Sequence, residues 1–292
     1  MKKFFGGGHF YEGARWHDGH WWVSDFYAKQ VLKIAPDGRA EVAATLENQP
    51  SGLGWLPNGD LLIVSMEDRR LLRRRADGSL VVHADLSGLA GAWLNDMVVD
   101  SKGRAYVGNF GFDLFSDDPP RQARLVQVDP DGSALIASGE LMFPNGSVIT
   151  GDGKTLIVAE SFGNRMTAFT IAEDGSLSDQ RIWAQFGPPP SWASLHDMIK
   201  VDFAPDGSAI DREDCVWVAD AVNNRVCRVR AGGEILQEVK GPENFGTYAC
   251  ALGGPDGRSL LICAAPDFDR DRRRAKPEAV LMMETVAVPI AG

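Results

Sequence analysis

Hydrophobic and polar positions along the chain alternate over short runs and never settle into a long 3.6-residue apolar period. That pattern predicts many short strands and few helices. The strongest recurring unit is a tight turn followed by an apolar run ending in a small or polar residue. It reads His20-Trp21-Trp22-Val23-Ser24-Asp25, Asp60-Leu61-Leu62-Ile63-Val64-Ser65 and Arg104-Ala105-Tyr106-Val107-Gly108-Asn109. Three more copies are Thr155-Leu156-Ile157-Val158-Ala159-Glu160, Val216-Trp217-Val218-Ala219-Asp220 and Ser259-Leu260-Leu261-Ile262-Cys263-Ala264. The preceding turns carry Gly19, Gly59, Gly103, Gly153, Asp214 and Gly257, spaced 40, 44, 50, 61 and 43 residues apart. Propeller blades take roughly 40–50 residues each. A second strand follows each unit, and most copies close on a glycine turn such as Asp37-Gly38, Asp131-Gly132, Asp174-Gly175 or Gly232-Gly233. Asp-Gly supplies the positive φ that hairpin turns require.

The reading is an all-β chain, a six-bladed β-propeller with four-stranded antiparallel blades and a central metal site, forming one domain over residues 1–292. The termini are expected to share a blade, with strand 280–283 lying near residues 1–10. An immunoglobulin-like sandwich would not repeat six times, and a doubly wound sheet would need helices between its strands.

In such a ring the heads of the innermost strands meet at one end of the channel. Counting back from the turns, those heads are Glu12-Gly13, Ser51-Gly52, Asn95-Asp96, Asn145-Gly146, Asp206-Gly207 and Cys250-Ala251. Asx residues favour turns without any function, yet four of the six positions carry a Glu, Asn or Asp that symmetry aims at one point. Two carboxylates and two amide oxygens suit a hard cation, Ca²⁺ or Mg²⁺, rather than a thiol-loving metal.

Composition narrows the partners. With 30 basic and 40 acidic residues the formal net charge is −10, a poor match to phosphate backbones, so no nucleic-acid partner is expected. The runs Arg69-Arg70 with Arg73 to Arg75, and Arg270 with Arg272 to Arg274, read as solvated faces. No window approaches ~18 uninterrupted apolar residues, so no membrane span is expected. Gly6-Gly7-Gly8-His9 interrupts the apolar region that a secretory signal needs. Cys215, Cys227, Cys250 and Cys263 show no CxxC pairing and behave as small hydrophobes. A cytoplasmic protein is the expectation.

The motifs also carry a resemblance. Glu12-Gly13-Ala14-Arg15-Trp16, Asn95-Asp96-Met97-Val98-Val99-Asp100, Pro144-Asn145-Gly146, Pro205-Asp206-Gly207 and Val216-Trp217-Val218-Ala219-Asp220 are similar to those of the senescence marker protein/gluconolactonase/luciferin-regenerating enzyme family, from about residue 11 to 265. The resemblance implies that Glu12, Asn145 and Asp206 bind a divalent metal. Ca²⁺ fits first, with Mg²⁺, Mn²⁺ or Zn²⁺ as alternatives, and Asn95 contacts substrate or the metal. It implies a metal-dependent hydrolase acting on a small-molecule lactone, with Asp206 as general base. A phosphofluoridate-type ester could be cleaved at the same site. A non-catalytic calcium-binding propeller, or a metal-free condensing enzyme like strictosidine synthase, remain open. There are two departures, the first of little consequence. Glu12-Gly13-Ala14 replaces the family's Glu-Gly-Pro, and Trp93 stands where sugar-lactone enzymes often carry Arg. Trp93 and Phe143, each two residues before a ring residue, are read as pocket wall, which favours a lactone less polar than gluconolactone. Segments 110–121 and 188–202 are candidates for a rim or lid over the channel.

Other signals carry less. Gly151-Asp152-Gly153-Lys154-Thr155 imitates a phosphate loop, but Val148 stands where that motif needs Gly and strands flank it on both sides. Asn145-Gly146-Ser147 is a glycosylation sequon without a secretory context. No Gly-x-Ser-x-Gly elbow supplies a serine nucleophile. The five histidines lack metal-ligand spacing, although His196-Asp197 could line the rim. Trp16, Trp21, Trp22, Trp55 and Trp217 read as blade core.

Overall fold

The computed structural model describes residues 1–291. The chain opens with β1 (Lys2–Gly8) and then builds blades in sequence order. Blade 1 is β2 (Tyr11–His17), β3 (His20–Asp25), β4 (Gln30–Ile34) and β5 (Ala40–Thr45). Blade 2 is β6 (Pro50–Trp55), β7 (Leu61–Ser65), β8 (Arg70–Arg74) and β9 (Leu80–Asp85). Blade 3 is β10 (Leu94–Val99), β11 (Ala105–Asn109), β12 (Val126–Val128) and β13 (Ala134–Ile136). Blade 4 is β14 (Pro144–Ile149), β15 (Thr155–Glu160), β16 (Arg165–Ile171) and β17 (Leu177–Gln185). A short helix α1 (Leu195–Met198) leads to blade 5, which is β18 (Pro205–Ile210), β19 (Val216–Asp220), β20 (Arg225–Val229) and β21 (Ile235–Lys240). Blade 6 takes β22 (Gly246–Gly253) and β23 (Ser259–Ala265), passes through helix α2 (Arg270–Ala275), and ends on β24 (Ala279–Thr285). Its outer strand is β1, paired antiparallel to β24 with Lys2 opposite Met283 and Gly6 opposite Val280. The expected sharing of one blade by both termini is observed.

The burial gradient explains the sequence pattern. The second strand of each blade is covered on both faces by neighbouring blades, so Leu61–Ser65 and Val216–Asp220 are buried throughout. Outer strands such as β5 and β21 face solvent along most of their length. At the outer hairpins, the Asp37, Asp77, Asp131 and Asp174 carboxylates accept the backbone N–H two residues on, and the glycine between has positive φ. Side chain and backbone thus close the same turn. Trp21, Trp22 and Trp217 lie in the blade core, and all four cysteines are buried and unpaired.

One basic run departs from its expectation. Within Arg270 and Arg272 to Arg274, Arg272 and Arg274 are exposed while Arg270 is half-buried. Arg273 is buried and donates to Asp267 at 3.2 Å and Glu278 at 3.0 Å. Arg270 and Arg274 lie over the rings of Phe115 and Tyr27, at 5.1 and 5.7 Å from their centroids. Aromatic neighbours and facing acids draw these long side chains down onto the protein.

Candidate functional site

Each inner strand carries a register shift close to its head: between Glu12 and Arg15, Pro50 and Leu53, Leu94 and Met97, Pro144 and Ser147, Pro205 and Ser208, and Thr247 and Ala249. A bulge re-aims the side chain it carries. The bulge also fixes the sixth position. Thr247 faces Ala264 as Tyr11 faces Asp25, so the blade 6 counterpart of Glu12 is Tyr248, not Cys250. Contact with blade 5 agrees, because a Cβ on Gly207 would meet Ala249 at 2.5 Å. The ring therefore reads Glu12, Ser51, Asn95, Asn145, Asp206 and Tyr248. Cys250 belongs two residues deeper, where its thiol donates to backbone carbonyls of Gly207 and Trp217.

Adjacent inner strands touch backbone to backbone at this level. A Cβ on Gly146 would lie 2.3 Å from the Asp206 carbonyl oxygen, so only glycine fits between those two ring residues. In blade 3 the equivalent position is Asp96, which sequence reasoning did not use. Its buried carboxylate accepts from the Arg15 Nη2 at 2.7 Å, and Arg15 also donates to the Met97 carbonyl.

Glu12, Asn95, Asn145 and Asp206 are all buried. The Asn145 Nδ2 donates to Ser161 Oγ at 3.1 Å, and Ser161 Oγ donates to the Pro205 carbonyl at 2.8 Å. The Asn95 Nδ2 donates to the Pro144 carbonyl at 3.2 Å. Both amide nitrogens are thereby occupied, which leaves the amide oxygens to accept. Ser147 and Ser208 hydroxyls donate back to the carbonyls of Asn145 and Asp206, bracing the two heads. Asp206 Oδ1 is buried and has no hydrogen-bond partner. Burial, with the negative charge of Asp96 next, pushes the Asp206 carboxyl well above the usual carboxylate range. Glu12 is raised by burial too, then by Asp206 and Asp96. A buried, unpartnered carboxylate oxygen beside a second carboxylate is a poor resting state without a cation. The donors are all oxygens, and they fit a hard divalent ion.

A second support was present in the repeats but unread. Blades 1, 4 and 5 end their second strands on acids, Asp25, Glu160 and Asp220. These buried carboxylates accept the backbone N–H of Phe10, Met142 and Ala204, just upstream of Glu12, Asn145 and Asp206. The blades that hold the chain this way are those that present these three side chains.

Above the ring lies a second tier, two residues earlier in each blade. Its equivalence is set by one repeated bond, in which the tier carbonyl accepts the N–H of the residue just past the second strand. The pairs are Phe10 with Phe26, Gln49 with Met66, Trp93 with Phe110, Phe143 with Ser161 and Ala204 with Ala221, at 2.9–3.2 Å. Trp93 is half-buried against Phe110 and Phe115. Phe143 is buried between Phe110 at 4.5 Å and Phe162 at 4.6 Å. Its backbone sits at φ 63, an unusual conformation for a bulky residue, held by the rings around it. Segment 110–121 supplies Phe112 and Phe115, and segment 188–202 supplies Trp192, whose indole donates to the Phe162 carbonyl at 3.1 Å and meets Phe112. Both segments pack against this tier, and Met198 of the second is buried in the same cluster. α2 adds Arg270 over Phe115, an element absent from the sequence reading. His196 is exposed.

A cavity of about 710 Å³ opens at the other end of the channel, lined by Arg15, Val99, Ile149, Ile210, Leu252 and Ile290. The Arg15–Asp96 pair stands between it and the ring. The described residues contain no helix long and apolar enough to cross a membrane.

A closed six-bladed ring that gathers oxygen donors at one mouth, under an aromatic tier, defines a propeller with a polar axial site. The chain belongs to the SMP-30/gluconolactonase/LRE-like family, whose model matches residues 10–266. It is 25% identical over 253 residues to a 6-deoxy-6-sulfogluconolactonase of Pseudomonas putida, covering 87% of this chain and 80% of that one. Human regucalcin is 26% identical over 281 residues, 92% of this chain and 83% of the relative. The solved structure of a calcium-binding regucalcin from Agrobacterium tumefaciens superposes with a TM-score of 0.73 at 21% identity, covering 100% of this chain and 95% of that one.

Proposed function

We propose that the protein hydrolyses a small-molecule lactone at the Glu12–Asp206 mouth, with a divalent cation held by Glu12, Asn145 and Asp206. The observation that carries this reading is the buried, unpartnered Asp206 Oδ1 in a ring of oxygen donors. Family membership and the lactonase relative support the substrate class. Ca²⁺ fits the all-oxygen donor set best. When bound, the cation supplies positive charge that favours the ester carbonyl's developing oxyanion. Asp206 accepts the proton of the attacking water. Asn95, its nitrogen anchored on Pro144, presents its amide oxygen to orient the substrate. Trp93 and Phe143 form an apolar wall that excludes bulk water from the carbonyl. The product is a hydroxy acid.

The test is a pH-stat screen of sugar, aliphatic and aromatic lactones with metal-stripped protein reloaded with Ca²⁺, Mg²⁺, Mn²⁺ or Zn²⁺. Glu12→Ala and Asp206→Ala should each lower kcat/KM by about 10²–10³-fold, the range for losing oxyanion stabilisation, while circular dichroism retains the β-sheet signal. Undiminished hydrolysis in both variants would exclude this mouth as the reaction centre.

A further inference from the structure

Gln49 stands in the tier directly above the ring, in the register position that Phe10, Trp93 and Phe143 fill in blades 1, 3 and 4. Ala204 fills it in blade 5. Gln49 is therefore the polar member among these five tier positions. It is 1% exposed, and its Oε1 has no hydrogen-bond partner. Its backbone is fixed, because its carbonyl accepts from Met66 N and the Met66 carbonyl in turn accepts from Leu94 N, next to Trp93. The ring residue beneath it, Ser51, carries only a short side chain.

A buried amide oxygen without a donor costs stability, and an apolar side chain of equal size would fill the same space without that cost. Nothing among the described residues uses this oxygen. Aromatic groups on neighbouring blades make the contrast sharper, since they can offer a ligand apolar surface but no acceptor.

We propose that Gln49 is a specificity residue whose Oε1 accepts a hydrogen bond from a hydroxyl of the substrate, so that the preferred lactone is hydroxylated on the side facing blade 2 and hydrocarbon-like on the side facing Trp93 and Phe143. This rests on the lactone reading above and divides the substrate into two faces. A uniformly polar sugar lactone leaves hydroxyls unpaired against Trp93, and a plain alkyl lactone leaves Gln49 unpaired.

The experiment compares γ-butyrolactone with its α-hydroxy and β-hydroxy derivatives, in the wild type, Gln49→Met and Gln49→Leu, all loaded with Ca²⁺. The wild type should favour one hydroxylated lactone in kcat/KM by roughly 5- to 100-fold, the value of one buried hydrogen bond. In both variants that ratio should fall toward unity, with γ-butyrolactone itself turned over no more slowly. A structural role for Gln49 would lower all three substrates together and leave the ratio in place, which overturns the proposal. A ratio unchanged in both variants overturns it too. If no lactone is hydrolysed, the lactonase reading fails while the same compounds serve as stable ligands. Ligand-observed NMR then decides on Gln49: weaker binding of the hydroxylated lactone in the variants supports it, and equal binding overturns it.

Discussion

Asp206→Asn should make the metal-free protein more stable while abolishing its affinity for a cation. The Asp206 carboxylate is buried, one oxygen lacks any partner, and Glu12 and Asp96 add negative charge nearby. Neutralising it removes an unsatisfied charged acceptor, a change of about 1–3 kcal/mol. In a chain of this size that corresponds to a rise in Tm of roughly 2–6 °C. The pH dependence follows from the direction of the shifts. Glu12 and Asp206 hold protons more tightly folded than unfolded, so their ionisation opposes folding as pH rises from the ordinary carboxylate pKa through the raised folded values. Below the ordinary pKa that penalty vanishes. Other carboxylates, such as Asp60 and Asp131, are lowered and act in the opposite sense on the whole protein. The informative quantity is therefore the difference between Asp206→Asn and wild type, which should grow as pH rises above the ordinary carboxylate range. Differential scanning calorimetry in EDTA measures it directly. Adding calcium should then stabilise the wild type by about 2.7 kcal/mol at a hundredfold excess over Kd, and the variant hardly at all. An Asp206→Asn protein that unfolds at or below the wild-type Tm in EDTA at the higher pH would refute the account of this buried charge.

Trp93→Arg should move selectivity toward polyhydroxylated lactones, because a guanidinium offers several donors where the indole offers one. The comparison is kcat/KM for an aryl or alkyl lactone against gluconolactone, and an unmoved ratio would remove Trp93 from substrate contact. Gly146→Ala places a methyl 2.3 Å from the Asp206 carbonyl oxygen and 2.6 Å from Ser208 N. Overpacking there should cost about 1–3 kcal/mol, seen as a lower urea midpoint together with weaker calcium binding; normal calcium affinity would mean that the strands separate without disturbing either ring residue.

Much of this was legible in the repeats. Counting back from the turns located Glu12, Asn95, Asn145 and Asp206 because blades 1, 3, 4 and 5 keep nearly the same hairpin length. Blade 6 lengthens its inner hairpin by two residues relative to blade 5, so counting back seven from Gly257, the distance that finds Glu12 in blade 1, falls on Cys250 instead of Tyr248. Tyr248 now packs on Phe10 at 4.8 Å, its phenol raised by burial and by the charge of Asp206. Trp93 and Phe143 were found by their spacing from the ring, but Gln49 was not. Glutamine in an irregular connection has no distinctive pattern, and only its burial without a partner marks it. The helix α2 escaped because six residues between two strands cannot show a helical period, and the rings under Arg270 and Arg274 come from other blades, far away in the sequence.

The pairing of β1 with β24 sets an order of events during synthesis. Lys2 to Gly8 leave the ribosome long before their partner strand, and their sheet is not complete until β24 has been added. Through most of translation this segment has an open edge with no partner, and the five blades that follow it form an incomplete arc. Glu12 lies at the very start of that arc and Asp206 near its far end, so the axial ring cannot be assembled one blade at a time. It comes into being only when β1 meets β24, a contact of very long sequence separation.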